Sequence, residues 1–113
     1  MVLPHPSLLP HNPEPRPVAV VTGSSQGLGL AIALRLADDG CDVVINDLQP
    51  KLSAMEDAVR RIVLKGVRAV AVVADVSRED EVKRLIGTTV EKLGKLDIVR
   101  LYLSRPFRSL ICL

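Results

Sequence analysis

Four short apolar runs divide the middle of the chain at regular intervals, with longer mixed segments between them. The runs read VAVVT at 18–22, DVVIN at 42–46, RAVAVVA at 68–74 and LDIV at 96–99. Their apolar character is continuous rather than alternating, which is typical of parallel strands that are buried on both faces. The pattern therefore predicts four short β-strands, the last of which starts with LDIV.

The segments between these runs repeat apolar residues at steps of three and four, the period of an amphipathic helix. They predict one helix over 26–40 that stops at Gly40, a second that has Pro50 in its first turn and stops at Gly66, and a third that stops at Gly94. The apolar faces are expected to comprise Leu30, Ala33, Leu34 and Ala37 in the first helix, Leu52, Met55, Val59 and Ile62 in the second, and Val82, Leu85, Ile86, Thr89, Val90 and Leu93 in the third.

Strands that alternate with helices of this length indicate βαβ units with right-handed crossovers, so we predict an α/β fold with a parallel sheet. The sequence SRED at 77–80 has the form of a capping box, which predicts Ser77 as the cap of the third helix. Residues 1–17 hold six of the eight prolines and are interpreted as a flexible leader, because proline excludes helix and interior strand. The predicted divisions are this leader, a folded unit at 18–99 and a tail at 100–113.

The composition is that of one globular domain, and it narrows the range of functions. Hydrophobic residues make up 48% of the 113 positions and charged residues 25%. The net charge is only +2, and up to Val99 twelve basic residues face thirteen acidic ones, so no nucleic-acid partner is predicted. No apolar run reaches the roughly 18 residues of a membrane span. Cys41 and Cys112 have no disulfide-framework or metal-ligand spacing and the N-terminus has no secretory signal, which favours the cytoplasm over other compartments.

The sequence TGSSQGLG, which connects the first strand to the first helix, is the strongest functional signal in the chain. A helix start presents unpaired N–H groups and the positive end of the helix dipole, so it favours phosphate. We expect Gly23 to form the tight turn, Gly27 to let a pyrophosphate approach the main chain, and Gly29 to allow close packing of helix against strand. Ser24 and Ser25 are expected to add hydroxyl donors.

Three interpretations of this loop compete. A nucleoside-triphosphate loop requires a Gly-Lys-Ser/Thr ending, whereas Gly27 is followed by Leu28 and the loop contains no lysine. The loop could also be a glycine-rich connection without a ligand. A dinucleotide site predicts an acidic residue about 20 positions further on, at the end of the second strand. Asp47 lies there, 18 positions after Gly29, which favours the dinucleotide interpretation.

Asp47 also bears on the choice of cofactor. A carboxylate at this position accepts the ribose hydroxyls of an adenosine and repels a 2′-phosphate. Neither lysine nor arginine occurs at 24–26 or beside Asp47, and Lys51 is the nearest basic residue. NAD is therefore predicted in preference to NADP. The alternative interpretation is that Asp47 merely caps the second helix.

The loop resembles the TGxxxGxG loop of the short-chain dehydrogenases/reductases, and the resemblance continues through Asp47, ADVS at 74–77 and LGKLDIV at 93–99. It implies an alcohol/carbonyl oxidoreductase lineage on a Rossmann-type doubly wound parallel sheet, here incomplete, with about four strands in the order 3-2-1-4. It also implies a set of residues that bind the dinucleotide cofactor: Thr22, Gly23, Ser25, Gln26, Gly27, Leu28, Gly29, Asp47, Asp75 and Val76.

Two members of that set follow the third strand. The family position of Asp75 binds near the adenine amino group, and the position of Val76 lines the adenine pocket. The place of Asp75 at the carboxyl end of a parallel strand agrees, because ligands of open α/β sheets bind there. The alternative is that Asp75 is a loop carboxylate that caps the third helix.

The resemblance ends after Val99, where the chain continues with RLYLSRPFRSLICL. The family's catalytic serine, asparagine and Tyr-x-x-x-Lys pair have no counterpart: Tyr102 has Pro106 in place of the lysine, and Ser104 has no general base in an interpretable arrangement. We therefore expect a truncated or frame-shifted chain that binds NAD and is not active alone. The alternatives are a non-catalytic isoform that binds a nucleotide or pairs with full-length subunits, or a splicing or gene-model product without function. The unpaired edge of strand four is expected to allow association with full-length subunits or self-association.

Overall fold

The computed structural model describes residues 16–101, and the predictions about the leader, Tyr102, Ser104 and Cys112 lie outside this part of the chain. Strands and helices alternate in it as predicted. The strands are β1 (Val18–Val21), β2 (Asp42–Asp47), β3 (Ala69–Val73) and β4 (Ile98–Arg100), and the helices are α1 (Gly27–Asp38), α2 (Leu52–Val63) and α3 (Glu79–Leu93). One turn of 3₁₀ helix, Gln49–Lys51, contains Pro50 and leads into α2.

The four strands form one parallel sheet in the order β3-β2-β1-β4. β1 is central: Val18 lies level with Asp42 of β2, and Val21 lies level with Ile45 of β2 and Arg100 of β4. The predicted Rossmann-type α/β fold and the order 3-2-1-4 are confirmed. The carboxyl ends of β1, β2 and β3 consequently meet along one edge of the sheet.

Helices cover both faces of the sheet, which explains why its strands are apolar throughout. α1 and α2 connect strands that step in one direction across the sheet, whereas α3 returns the chain from β3 to β4, so right-handed crossovers place α3 on the opposite face. Alternate residues of β1 therefore enter different cores. Ala19 and Val21 pack with residues of α1 and α2, and Val18 and Val20 pack with residues of α3.

The structure corrects two details at α3. The helix begins at Glu79, and the N-cap residue Arg78 makes no side-chain capping hydrogen bond, so the prediction that Ser77 caps the helix is wrong. The helix starts one residue later than the capping-box spacing requires, and the Ser77 hydroxyl donates instead to Asp75, 2.6 Å away. Val90, predicted on the buried face, is 45% exposed.

Ionic and polar contacts fasten the amino-terminal end of the sheet. Asp42, at the start of β2, is fully buried and accepts hydrogen bonds from the backbone N–H of Arg68 at 2.8 Å and from its Nε at 2.9 Å. Asp97, just before β4, accepts the N–H of Val18 at 2.9 Å. This hydrogen bond, with Lys95 nearby, lowers the pKa of the Asp97 carboxyl. These carboxylates therefore serve the fold.

Cys41 lies just before β2 and is 4% exposed, as expected of a small core side chain. Burial is the main cause that raises the pKa of its thiol, so the group stays protonated at neutral pH. Residues 16–101 contain no cluster of His, Cys, Asp and Glu side chains that could hold a metal ion. In the same range, no helix combines the length and the apolar character needed to cross a membrane.

Candidate functional site

The loop between β1 and α1 lies at the carboxyl end of the sheet and turns sharply into the helix. Gly23 has a φ of +60° and Gly27 a φ of +59°. This left-handed conformation is favourable for glycine and costly for most other residues. The two glycines thus determine where the chain leaves β1 and where it enters α1.

The surroundings of Gly29 and Gly27 differ: the space beside Gly29 is filled, and the space beside Gly27 is open. A Cβ on Gly29 would lie 2.1 Å from the carbonyl oxygen of Gly23, so glycine is required for α1 to pack against the loop. A Cβ on Gly27 would meet no atom within 4 Å, so the space beside its main chain is open. The N-cap residue Gln26 makes no side-chain capping bond to α1. The positive end of the α1 dipole therefore adjoins an open space.

A buried polar network joins the loop to β2 and β3. The Ser24 hydroxyl donates to the carbonyl of Val21 at 2.6 Å and accepts the N–H of Asn46 at 3.0 Å. The Asn46 side-chain amide donates to the carbonyls of Val72 at 3.0 Å and Ala74 at 3.2 Å. The network fixes three strand ends relative to one another. The prediction that Ser24 offers a hydroxyl to a ligand is wrong, because this hydroxyl is buried and bonded within the fold.

Asp47 ends β2 directly beside the glycine loop. Its Oδ2 accepts the Ser25 hydroxyl at 2.6 Å and the Ser25 N–H at 3.3 Å, and its Oδ1 accepts the N–H of Leu48 at 2.9 Å. A carboxylate has about four acceptor positions, so at least one is left for a ligand. None of the ion pairs within residues 16–101 involves Asp47. The alternative that Asp47 caps the second helix is wrong, because α2 starts at Leu52 without a side-chain cap.

Asp75 lies in the next loop along the same edge of the sheet. The N–H of Ala74 donates to the carbonyl of Asp47 at 3.2 Å, so this loop begins next to β2. The Asp75 carboxylate accepts the N–H and the hydroxyl of Ser77 at 3.0 Å and 2.6 Å. Its own N–H donates to Glu81, in the first turn of α3, at 2.8 Å. These contacts bring the second predicted carboxylate to the same edge as the glycine loop and Asp47.

The other predicted residues lie around these groups. Thr22 is buried at the carboxyl end of β1, and Val76 is partly buried against the core under α3. Leu28, in the first turn of α1, is 57% exposed. The side-chain oxygen of Gln26 accepts the Lys51 ammonium group at 3.4 Å.

Sequence reasoning missed two residues of this region. Leu48, next to Asp47, is an apolar side chain that is 48% exposed. Asn46 holds the ends of β2 and β3 together through its side-chain amide. The available signal for Asn46 was a polar residue inside an otherwise apolar run, and the signal for Leu48 was an apolar residue placed after a strand and before Gln-Pro.

Comparisons with known proteins agree with this arrangement. A family profile described as short chain dehydrogenase matches residues 17–101, two residues past Val99. A short-chain dehydrogenase/reductase of Armillaria gallica is 49% identical over 82 residues, which are 73% of this chain and 31% of that protein. A solved structure of NAD⁺-bound xylitol dehydrogenase has a TM-score of 0.67 at 36% identity and covers 74% of this chain and 31% of its own.

A second solved structure carries the other cofactor. A blue fluorescent protein from a metagenomic library, in complex with NADPH, has a TM-score of 0.70 at 33% identity and covers 74% of this chain and 34% of its own. The chain thus spans about a third of the length of the relatives it matches. Structures similar to this chain bind NAD⁺ in one case and NADPH in the other.

Proposed function

The chain belongs to the short-chain dehydrogenase family, and on that premise we propose that it binds the adenosine diphosphate part of NAD at the carboxyl end of its sheet. The observation that carries the proposal is the contact between the glycine loop and Asp47: the Ser25 hydroxyl lies 2.6 Å from the Asp47 carboxylate. In this proposal a phosphate cradle and a ribose acceptor lie side by side, as the binding of one nucleotide requires.

In this proposal the backbone of Gly27, Leu28 and Gly29 holds the pyrophosphate. The open space beside Gly27 accommodates a phosphate where any side chain would intrude. The first-turn N–H groups of a helix have no intrahelical acceptors, so they donate to the phosphate oxygens. Gly23 and Thr22 shape the turn that directs these groups outward.

Asp47 is proposed to accept the ribose hydroxyls of the adenosine. Its carboxylate is held by Ser25 and Leu48, so little rotational freedom is lost when a ligand binds. No ion pair within residues 16–101 includes Asp47, so its negative charge repels a 2′-phosphate. This supports the preference for NAD over NADP.

Asp75 and Val76 are proposed to form the adenine subsite together with Leu48. Val76 and Leu48 supply apolar surface beside the two carboxylates, and Asp75 supplies an acceptor for an amino group. When bound, NAD would exchange a hydride with an alcohol or carbonyl carbon. For residues 1–113 we propose cofactor binding, and the family's Tyr-x-x-x-Lys pair has no match among them.

Fluorescence titration of the 113-residue chain with NADH tests the proposal. Gly27→Ala is expected to weaken binding about tenfold or more, because the added methyl group occupies the phosphate position. The matched control is Gly66→Ala, which has a comparable positive φ of +92° and equally open surroundings but follows α2, outside the proposed site. Equal affinity of the two variants, or no NADH binding by the unaltered chain, contradicts the proposed function.

We also propose that the outer edge of β4 associates with another subunit. Within residues 16–101, β4 pairs with β1 alone, and an unpaired strand edge is a template for further pairing. A largely apolar groove of about 480 Å³ adjoins it, lined by Ala31, Ile32, Arg35, Leu36, Ile98 and Arg100. Sedimentation velocity over a range of concentrations is expected to show association that Ile98→Lys weakens. A monomer at every concentration contradicts this.

A further inference from the structure

Two charged side chains of α3 bond to the backbone at the start of the loop that carries Asp75 and Val76. Oε1 of Glu81 accepts the N–H of Asp75 at 2.8 Å. An Nη of Arg84 donates to the carbonyl of Val73 at 2.5 Å. The same guanidinium pairs with the other carboxylate oxygen of Glu81 at 3.3 Å. The Glu81–Arg84 pair therefore holds the chain at the point where β3 ends and the loop begins.

The main-chain groups that this pair bonds belong to the open edge of the sheet. Within residues 16–101, β3 pairs with β2 alone, and the N–H of Ala74 donates toward β2, to the carbonyl of Asp47 at 3.2 Å. Main-chain groups alternate in direction along a strand, so the carbonyl of Val73 and the N–H of Asp75 point away from β2. A further parallel strand would donate to this carbonyl and accept from this N–H. The guanidinium and the carboxylate of the pair do both, so the pair takes the place of a strand residue.

The Glu81–Arg84 pair differs in this respect from another ion pair of the same helix. Glu79 and Lys83 are four positions apart on α3, and both side chains are about four-fifths exposed, at 81% and 78%. An ion pair along an exposed helix surface contributes little to stability or position. The Glu81 side chain is only 30% exposed, and the pair forms hydrogen bonds to main-chain groups 11 and 6 positions earlier in the chain. These bonds connect α3 to the loop.

We infer that Glu81 and Arg84 are positioning residues for the adenine subsite: they fix the backbone of Asp75 and thereby the place of its carboxylate beside the base. The inference rests on the proposed function. The N–H and the hydroxyl of Ser77 both donate to this carboxylate, so the Asp75 side chain follows the main chain of its own loop. When the Glu81 carboxylate is removed, the loop loses a tie to α3 and gains freedom that nucleotide binding has to remove.

The preference for adenine over hypoxanthine reports the position of the Asp75 carboxylate. Hypoxanthine carries an oxygen in place of the adenine amino group, so it offers no donor there. We expect the unaltered chain to bind NADH about tenfold more tightly than reduced nicotinamide hypoxanthine dinucleotide. Glu81→Ala is expected to reduce this preference to about threefold or less, mainly by weakening NADH binding. Glu81→Gln keeps an acceptor for the N–H and is expected to retain the preference.

The test measures the binding of both dinucleotides by fluorescence for the unaltered chain and its variants. Arg84→Met is expected to lower the preference about twofold, because Arg84 acts one peptide further from the base, at Val73. Glu79→Ala is the matched control: it removes an ion pair from the same first turn of α3 and is expected to leave the preference unchanged. The amide spectrum of each ¹⁵N-labelled variant shows whether it is folded, and Arg84→Met decides the question if Glu81→Ala is not.

The outcomes distinguish the positioning role from the proposed function. A folded Glu81→Ala chain that keeps the full preference, or that binds both dinucleotides more weakly by the same factor, overturns the inference. An unchanged preference in Arg84→Met overturns it in the same way if Glu81→Ala does not fold. Asp75→Ala is expected to abolish the preference. If Asp75→Ala keeps it, or if the unaltered chain has none, the adenine subsite of the proposed function is wrong and the inference falls with it.

Discussion

The two ends of the sheet use the same residue type for different purposes. At the amino end, Asp42 is buried and bonded to Arg68, and Asp97 holds the N–H of Val18. At the carboxyl end, Asp47 is partly exposed, is held by neutral donors, and forms no ion pair within residues 16–101. A carboxylate paired with a cation across two strands stabilises the fold, whereas one positioned by uncharged neighbours keeps its charge available to a ligand.

Glycine shows a similar contrast within the carboxyl end. Gly29 lies in contact with Gly23 and has no room for a Cβ, while Gly27 faces open space. The first glycine therefore belongs to the packing of the loop, and the second to the surface of the site. Stability and binding should accordingly respond to different substitutions.

The largest effect is expected from Gly29→Ala. Its Cβ would lie 2.1 Å from the Gly23 oxygen, so the backbone must shift, and we expect a loss of about 3 kcal/mol in the free energy of unfolding. Urea denaturation measures this. Gly87→Ala is the control, since it lies within α3 in open space and is expected to stabilise by about 1 kcal/mol. Equal stability of the two variants would refute the packing role of Gly29.

A smaller loss of stability is expected when the carboxylates are removed, and its size should differ between the two ends of the sheet. Asp42→Ala removes the acceptor of the Arg68 N–H and guanidinium, and is expected to cost about 2 kcal/mol of stability. Asp47→Ala, which removes bonds at a partly exposed site, is expected to cost about 1 kcal/mol or less. NADH binding should change in the opposite order, with the folded Asp42→Ala chain binding normally. A larger loss of stability in Asp47→Ala, or a larger loss of NADH binding in Asp42→Ala, would contradict the different roles assigned to the two carboxylates.

The smallest expected effect is a pH dependence of stability that comes from Asp97, at the amino end of the sheet. The hydrogen bond from Val18 lowers the pKa of Asp97 in the folded chain. The stabilising contribution of this carboxylate is therefore present above the unfolded pKa of about 4, and it is lost as the pH falls through the lower folded value. Asp97→Asn keeps an acceptor for Val18 but does not titrate. Denaturation at pH 6 and pH 3 should show a smaller pH-dependent loss of stability for this variant than for the unaltered chain. An equal loss of stability would show that Asp97 does not contribute to the pH dependence.

Apolar periodicity predicted the strands and the helices, whereas the order of the strands came from the resemblance to the short-chain dehydrogenases/reductases. The sequence also predicted which segments converge, since Asp47 and Asp75 end neighbouring strands at one edge. The sequence did not predict which partner each small polar side chain would bond to. Ser24 and Ser77 are small polar residues with several partners within reach, and a shift of one residue at the start of α3 decided the bonding of Ser77.

Contacts between distant segments were also beyond the sequence. Gln26 and Lys51 lie 25 positions apart, and only the folded loop brings the amide and the ammonium group together. Asn46 was visible as a polar interruption of an apolar run, but its two carbonyl partners in and after β3 depend on strand register. The chemistry of the site thus depends on geometry that periodicity does not encode.

The most direct test of the central claim is an NMR titration of the ¹⁵N-labelled chain with NADH, followed through the backbone amide signals. We expect chemical-shift changes concentrated at Gly23, Gly27, Leu28, Asp47 and Asp75, with the amides of Asp42, Arg68 and Asp97 unchanged. Changes centred on the amino end of the sheet, or none at saturating NADH, would contradict the central claim.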